Sequence, residues 1–367
     1  MAKYRIFVIN PGSTSTKLAY FEDDKKLYET NVFHDAQELA AFPHINDQLP
    51  YRKKVILNFL RDTGIDLHGI DAIVGRGGPC QSLEGGVYEI TDLLLEDTRA
   101  DLGDTCHPSI LGVQLARELQ SEFGGRAFMV DGPTTDEMED VARITGVEDI
   151  YRRSNFHALN QKGTCRLYCG QRGMKYEEGN FIVCHIDGGT TISAHRQGRV
   201  IDTTDGARGD GAFTPTRAGS VPAVELLEWA KGKDPDEARK VFISQGGFVS
   251  HFGTSSADVV HKWVERGDPH AKRVWEAMAY NICKQIGSMA VVLEGKVDAI
   301  VCGGGLLRFS DLCDAILDKC AWIAPVAFYP GEVEHEAMAQ GAIRVMEGEE
   351  KLKEYTGKPV WTGFQDE

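Results

Sequence analysis

Two stretches of the chain carry nearly the same nine residues, each an apolar run that ends in glycines. Residues 70–78 read Ile-Asp-Ala-Ile-Val-Gly-Arg-Gly-Gly, residues 297–305 read Val-Asp-Ala-Ile-Val-Cys-Gly-Gly-Gly, and six of the nine positions are identical. A second pair of strand-and-glycine signals precedes them, at 7–17 and at 182–191. Glycine-rich turns after buried strands often hold phosphate groups. The repeated order therefore predicts a duplicated βα unit that grips phosphate, which indicates nucleotide chemistry.

Length and charge set limits on this interpretation. A chain of 367 residues is long enough for two domains. Its formal net charge of −15 argues against non-specific binding of nucleic acid. We expect no membrane span, because the sequence lacks a run of about 18 apolar residues. It also enters a strand at once, without the apolar region of a leader peptide. The nine cysteines form no C-x-x-C pair and are expected to be reduced thiols of a cytoplasmic protein.

Hydrophobic periodicity predicts the order of the elements. Strands are expected up to Asn10, over Lys17–Glu22 and Leu27–Phe33, and at 71–74, 126–130, 298–302 and 323–328. Residues 180–202 are expected to repeat the first strand pattern, with a turn near 197–198. Helices are expected at 47–62, 108–122, 135–145, 156–171, 221–231, 255–265, 269–295 and 335–347.

The division into domains follows from the paired signals. The first domain is predicted over 1–152, joined by a C-terminal helix at 335–355, and the second over 153–334. The second domain carries extra sequence between its paired signals, much of it at 203–265, which is a plausible substrate-shaping insertion or lid.

The loop Asn10–Lys17 is the strongest local candidate for a phosphate site. Gly12 permits close approach of the backbone, the next four residues offer hydroxyls, and Lys17 adds a cation. The loop is not a Walker A motif, because the G-K-[ST] order is absent. The alternative interpretation is an ordinary polar hairpin turn.

Four basic side chains are candidates for contact with an anion. Arg76 lies between glycines after a predicted strand, and Arg217 lies in a Thr-Pro-Thr-Arg-Ala-Gly segment. A guanidinium can pair with a carboxylate or a phosphate through two hydrogen bonds. For both arginines the alternative is a surface turn. His107 and His157 stand at predicted helix starts, where a single histidine is more often structural.

Acidic side chains provide candidates for a metal site. Asp131 follows the predicted strand 126–130, where a carboxylate can position a metal ion or water. A helix N-cap is the alternative, although Asp136 is the better candidate for that role. Three glutamates spaced by two residues could bind a cation or cap the last helix: Glu332, Glu334 and Glu336.

Several segments together resemble a known family. They are 8–17, 74–78, 156–162, 246–249, 276–280 and 329–332. On these segments the chain resembles the butyrate kinases of the acetokinase family, from Ile6 to about Glu354. That family belongs to the superfamily of acetate and sugar kinases, heat-shock ATPases and actin.

The resemblance implies an α/β fold of two duplicated actin-like (ribonuclease H-like) lobes, with mixed sheets flanked by helices and a nucleotide cleft between them. It implies a phosphotransferase with a carboxyl group as acceptor, which reversibly transfers the γ-phosphoryl group of ATP to butyrate with Mg²⁺. The partners implied are ATP/ADP, a short-chain carboxylic acid and a second copy in a homodimer or higher oligomer. A branched-chain or other short-chain fatty acid kinase is the alternative, and a non-catalytic actin-like or regulatory protein is a distant one.

The resemblance also implies roles for individual residues in nucleotide binding. The first phosphate loop would use Asn10, Ser13, Ser15 and Lys17. The second would use His185, Asp187, Gly188 and Gly189, and the adenosine end would lie by Gly303, Gly304 and Gly305.

The catalytic roles implied are equally specific. Arg76 and Arg217 would hold the carboxylate and the phosphoryl group, and His157 would donate to the phosphoryl oxygens with support from His107. Asp131 would hold Mg²⁺ through water or orient the carboxylate. Asn10 and Glu334 would complete the metal contacts.

The second phosphate loop departs from the family pattern. It usually reads His-Leu-Gly-Gly-Gly, whereas here it is His185-Ile186-Asp187-Gly188-Gly189. A carboxylate would repel a triphosphate unless Mg²⁺ lies between them. The alternative is that Asp187 is itself a metal ligand.

Overall fold

The computed structural model describes residues 3–100, 102 and 108–364. The strands are β1 Arg5–Pro11, β2 Ser15–Glu22, β3 Lys25–Phe33, β4 Ala72–Gly75, β5 Val87–Glu89, β6 Arg126–Val130, β7 Asn180–Ile186, β8 Thr190–Arg196, β9 Arg199–Thr203, β10 Ala299–Gly304 and β11 Val326–Pro330. The helices are α1 Ala36–Ala40, α2 Leu49–Thr63, α3 Asp92–Arg99, α4 Ile110–Phe123, α5 Asp140–Arg143, α6 Ala158–Gly170, α7 Ala223–Ala230, α8 Pro235–Ile243, α9 Gly247–Phe252, α10 Ala257–Glu265, α11 Pro269–Val292, α12 Ser310–Cys320 and α13 Glu334–Glu347.

The chain divides into two compact units. The first is Met1–Asp136 with Val333–Glu367, and the second is Glu137–Glu332. The sequence-based boundary at 152–153 lies further along the chain. Residues 137–152 pack within the second unit, where the amide of Glu139 donates to the carbonyl of Ile201.

The first unit is built on a six-stranded mixed sheet in the order β3-β2-β1-β4-β6-β5. The pairs β1–β4 and β4–β6 are parallel, and the other neighbours are antiparallel. The four apolar residues 6–9 of β1 are fully buried, as expected for a strand covered on both faces. Helix α4 packs against β4 so closely that a Cβ at Gly75 would lie 2.2 Å from the carbonyl oxygen of Gly112. The glycine that ends this strand is thus required by helix packing.

The second unit is built on a five-stranded sheet in the order β11-β10-β7-β8-β9. Its core is closed by the long helix α11, whose buried side chains recur at three- and four-residue spacing: Val274, Met278, Ile282, Ile286 and Met289. This spacing places them on one face of the helix, which packs against the sheet.

The two sheets repeat one topology in one register. The order β3-β2-β1-β4-β6 corresponds to β9-β8-β7-β10-β11. Ile6 pairs with Ala72 in the first sheet and Phe181 pairs with Ala299 in the second, and positions 72 and 299 are equivalent in the repeated nonapeptide. The predicted fold of two duplicated actin-like lobes, with mixed sheets flanked by helices, is confirmed.

The same register fixes which site residues are equivalent. Asn10 lies opposite Lys17 in the first sheet, and His185 lies opposite Thr191 in the second. Asn10 and His185 therefore occupy corresponding positions at the ends of β1 and β7. The duplication thus keeps the position of a predicted site residue while the chemistry of the side chain changes.

The predicted helix at 135–145 is mostly wrong, because only Asp140–Arg143 is helical. The preceding backbone is held extended by other partners. The amide of Asp136 donates to the carbonyl of Leu83, and that of Glu139 donates to Ile201. Helices α1, α3, α8, α9 and α12 and strand β5 were not predicted. Across the described ranges, no helix has the length and apolar character needed to cross a membrane.

A buried ion pair fixes the start of the second unit. The ammonium of Lys162 lies 2.9 Å from Oε1 of Glu137, and both side chains are nearly inaccessible to solvent. Oε2 of Glu137 accepts from the amide of Val200 at 2.7 Å. Removing one partner would leave an uncompensated buried charge, which is strongly destabilising.

We expect Lys162→Met to lower the free energy of unfolding by about 3 kcal/mol. Urea denaturation followed by tryptophan fluorescence measures this change. The control is Lys240→Met, which removes an exposed pair with Glu237 and should change the free energy of unfolding by less than about 0.5 kcal/mol. Equal effects of the two substitutions would show that the buried pair has no special role.

Candidate active site

A cluster of three predicted site residues joins the ends of β1, β4 and α13. The amide Nδ2 of Asn10 donates to Oε2 of Glu334 at 2.5 Å, and Nη1 of Arg76 donates to Oδ1 of Asn10 at 3.1 Å. The same guanidinium spans both carboxylate oxygens of Glu334, at 3.2 Å and 3.1 Å. Asn10 and Glu334 are buried, whereas the side chain of Arg76 is 30% exposed. Part of the Arg76 side chain therefore remains accessible to an anion.

The three glutamates that the sequence offered as cation ligands or helix caps have different surroundings in the structure. Glu334 is buried in the cluster, Glu332 is exposed, and Glu336 forms an ion pair with Lys26 at 2.8 Å. Over the described part of the chain, no group of three or more His, Cys, Asp or Glu side chains is arranged to hold a metal ion. The cluster offers one carboxylate and one amide oxygen instead. This donor set fits Mg²⁺, which commonly takes one or two protein oxygens and completes its shell with water and phosphate.

The predicted first phosphate loop is closed by its own backbone and supported from behind by a buried arginine. The amide of Gly12 donates to the carbonyl of Ser15 at 2.8 Å. Arg52, which is fully buried on α2, donates to the same carbonyl at 3.1 Å and to the hydroxyl of Thr16 at 3.1 Å. Burial lowers the pKa of Arg52 to about 10, so its positive charge persists at neutral pH. Ser13 is exposed at the loop tip.

Asp131 lies in a strained backbone conformation at the end of β6. Its φ of +40° is uncommon for a residue other than glycine, and its side chain is buried. Oδ1 accepts from the amide of Gly86 at 2.8 Å, and the Asp131 amide donates back to the Gly86 carbonyl. The observed contacts thus anchor a turn, and the metal role stays a prediction. His107 lies outside the described residues.

Asp187 ties together the two glycine segments of the second unit. Oδ1 accepts from the amide of Gly188 at 2.8 Å, and Oδ2 accepts from the amide of Gly305 at 2.9 Å. A Cβ at Gly305 would lie 2.7 Å from Oδ2, so that position must be glycine for the tie to form. The departure from the family pattern at Asp187 therefore has a structural function, and its role as a metal ligand stays a prediction.

Arg217 is held directly against the predicted second phosphate loop. A Cβ at Gly189 would lie 2.6 Å from Nη1 of Arg217, and a Cβ at Gly206 would lie 2.7 Å from it. The hydroxyls of Thr214 and Thr216 both donate to the carbonyl of Gly188, at 2.6 Å and 2.9 Å. The extra segment of the second half thus brings a cation onto the loop.

Burial lowers the pKa of Arg217, while the negative charge of Asp205 acts in the opposite direction. Asp205 is itself buried, and burial raises the pKa of its carboxyl. No carboxylate of the described residues lies within ion-pairing distance of Arg217. The guanidinium therefore belongs to a half-buried side chain, and no carboxylate of the described residues neutralises its charge by direct contact.

His157 and His185 form a stacked pair. Their ring centroids are 4.1 Å apart and the rings are inclined by 27°. His157 precedes α6, and its Nδ1 lies 2.9 Å from the hydroxyl of Thr191. Because Thr191 pairs with His185 across β7 and β8, the sheet register brings all three side chains together.

Sequence reasoning missed the side chains that support this site. Arg52, Thr191 and Thr214 each hold a predicted residue or loop. The two threonines lie within segments that the sequence singled out, 182–191 and 214–219, but neither was assigned a role, and Arg52 lies outside every candidate segment. Arg52 had a detectable signal, since it occupies the buried face of an amphipathic helix where a charge is unusual. The two threonines carry no comparable signal, because hydroxyls are common beside turns.

Comparison with known proteins supports the fold. The model of the acetokinase family matches residues 146–319, within the second unit. The structure is similar to that of an acetate kinase from Porphyromonas gingivalis, with a TM-score of 0.76 and 18% identity over 94% of this chain and 100% of that one. An acetate kinase from Entamoeba histolytica has a TM-score of 0.74 at 16% identity, and a propionate kinase from Francisella tularensis has 0.74 at 18%. Each of these two comparisons covers 92% of this chain and 98% of the other.

We expect Asp187→Ala to release the Gly305 amide. Loss of one hydrogen bond of about 1 kcal/mol should accelerate its hydrogen exchange roughly fivefold. The control is Asp298→Ala at the opposite end of the same strand pair, where Oδ2 accepts from the Asn180 amide at 2.7 Å. That variant should accelerate exchange at Asn180 and leave Gly305 unchanged. Unchanged exchange at Gly305 in Asp187→Ala would contradict the hydrogen bond between Asp187 and the Gly305 amide.

Proposed function

We propose that this chain, whose residues 146–319 match the acetokinase family, is a kinase of short-chain carboxylic acids. It transfers the γ-phosphoryl group of ATP to the acid in a reversible reaction, and butyrate is the acid that we propose. The fold it shares with acetate and propionate kinases is compatible with this activity.

The observation that carries the proposal is the half-buried guanidinium of Arg217, packed against Gly189 and Gly206 without a direct carboxylate partner among the described residues. Removing part of the water around a cation without supplying a direct counter-ion is unfavourable. The cost is offset if an anionic ligand completes the site. The position of Arg217 against Gly189 favours a phosphate as that ligand, because the glycine permits close approach to the backbone.

The chemistry requires alignment more than activation. A carboxylate is already nucleophilic at neutral pH, so no strong general base is needed. One carboxylate oxygen attacks the γ-phosphorus, and the bond from that phosphorus to the β–γ bridging oxygen breaks. ADP leaves with the electron pair, and no proton is transferred. The protein must place the reacting atoms in line and neutralise charge on the equatorial oxygens.

Four side chains of the chain would supply positive charge or a hydrogen bond to this reaction. Arg76 binds the carboxylate or the phosphoryl group through the face that it leaves exposed beside Glu334. Arg217 binds the phosphoryl group, and His157 donates a hydrogen bond to one of its oxygens. Lys17, at the strand position opposite Asn10, adds positive charge beside the first phosphate loop.

Mg²⁺ would be held by Glu334 and Asn10, and it would supply further neutralisation of phosphate charge when bound. Asp131 is close to the end of β6 and would act through water. Asp187 holds the backbone of the second phosphate loop, so its charge is directed toward the amides of Gly188 and Gly305.

A branched-chain or other short-chain fatty acid kinase is the second candidate, because both reactions need the same phosphoryl-transfer residues. A hydroxamate assay for acyl phosphate distinguishes them, with ATP, Mg²⁺ and acids from acetate to valerate and isobutyrate. We expect the highest kcat/KM with butyrate. A preference for isobutyrate would favour the second candidate, and no product with any acid would refute the kinase proposal.

We expect Arg217→Ala to reduce kcat about 10²–10³-fold, because the guanidinium neutralises charge that develops in the transition state. Arg217→Lys should recover part of the loss, since it keeps the charge but loses the forked geometry. The control is Arg199→Ala, an exposed residue of β9, which should retain full activity. Circular dichroism checks that each variant is folded. Near-normal turnover in Arg217→Ala would refute the assignment.

A further inference from the structure

A chain of buried polar side chains runs through the second unit and ends at His157. The hydroxyl of Tyr176 lies 2.8 Å from Nδ1 of His195, and Nε2 of His195 lies 3.0 Å from Oε1 of Gln161. Nε2 of Gln161 contacts both the carbonyl and the hydroxyl oxygen of Thr191, at 3.0 Å and 2.9 Å. The Thr191 hydroxyl then reaches Nδ1 of His157 at 2.9 Å.

One contact in this chain has an unambiguous direction. The backbone carbonyl of Thr191 can only accept a hydrogen bond, so the group of Gln161 that faces it must be the NH₂. The amide oxygen of Gln161 therefore faces His195 and accepts from its Nε2–H. His195 is fully buried, and burial keeps its pKa well below the ordinary value. The ring is thus neutral, and its Nδ1 accepts from the hydroxyl of Tyr176.

The orientation of the Gln161 amide also fixes the direction of the hydrogen bond between Thr191 and His157. The NH₂ of Gln161 donates to the Thr191 hydroxyl oxygen, and the backbone amide of His157 also points to that oxygen at 3.3 Å. A hydroxyl oxygen has two lone pairs and one proton. Since both lone pairs are occupied, the hydroxyl contributes its proton, and Nδ1 of His157 is the acceptor.

We propose that Gln161 and Thr191 are positioning residues that hold the neutral ring of His157 with its proton on Nε2. The ring then presents an N–H donor on the side away from Thr191. Stacking on His185 fixes the plane of the ring. The tautomer follows from the contacts alone, whereas its use rests on the proposed function: an Nε2–H can donate to a phosphoryl oxygen, and a bare Nε2 would repel it.

Nitrogen-15 NMR of histidine-labelled protein tests the tautomer directly, at about pH 8, well above the usual histidine pKa. The His157 signals are identified by their loss in His157→Asn. We expect the wild-type ring to be only in the Nε2–H form, and an Nδ1–H form in appreciable amount would overturn the proposal. This measurement uses neither ATP nor an acid. A protein that phosphorylates no acid but shows the Nε2–H form would refute only the proposed function.

Thr191→Val removes the hydroxyl and keeps the shape of the side chain. We expect the Nδ1–H form to become detectable and kcat to fall roughly three- to tenfold, the factor that corresponds to one neutral hydrogen bond. The KM for ATP should stay unchanged, and Thr191→Ser should restore both the tautomer and kcat. The control is Ser193→Ala, which removes a buried hydroxyl of the same strand that bonds the hydroxyl of Thr203. Wild-type His157 signals in Thr191→Val would overturn the proposal.

Discussion

The parallel pairing of β1 with β4, and of β7 with β10, is the interaction on which the rest of this molecule depends. Each pair places a strand end beside a glycine turn, and each adds an antiparallel hairpin on its other side. Because the register is the same in both sheets, corresponding positions carry Asn10 in one unit and His185 in the other. The hydrogen-bonding ladder supplies the geometry, and the side chains at its end supply different chemistry.

Buried charge separates structural from functional roles in this chain. Lys162 is buried against Glu137, which compensates its charge completely. Arg217 is half-buried against Gly189 and Gly206, with Asp205 acting only at longer range. Arg52 is intermediate, because its guanidinium is satisfied by carbonyl, hydroxyl and amide oxygens without a carboxylate. Of these three cations, Arg217 is the one whose charge an anionic ligand would compensate. For this reason Arg217 carries the functional proposal.

Much of the fold could be predicted because its strands are short buried apolar runs. The predicted strand at 126–130 has the observed bounds, and helix 335–347 differs from α13 by one residue. The segment 135–145 has helical periodicity but is mostly not helical, because the amides of Asp136 and Glu139 donate to residues distant in sequence. Such contacts override local preference and leave no pattern within the segment itself.

The sequence by itself determined the duplication, the glycine turns and the residues able to bind anions, because apolar runs and glycines have a local physical meaning. Tertiary structure alone decided how those residues are supported. It joined Glu334 to Asn10 across more than 300 positions of sequence, turned Asp187 toward two backbone amides, and placed Thr191 beneath His157. These contacts depend on the positions of whole strands and helices, and a hydrogen bond between distant residues requires no particular spacing in the chain.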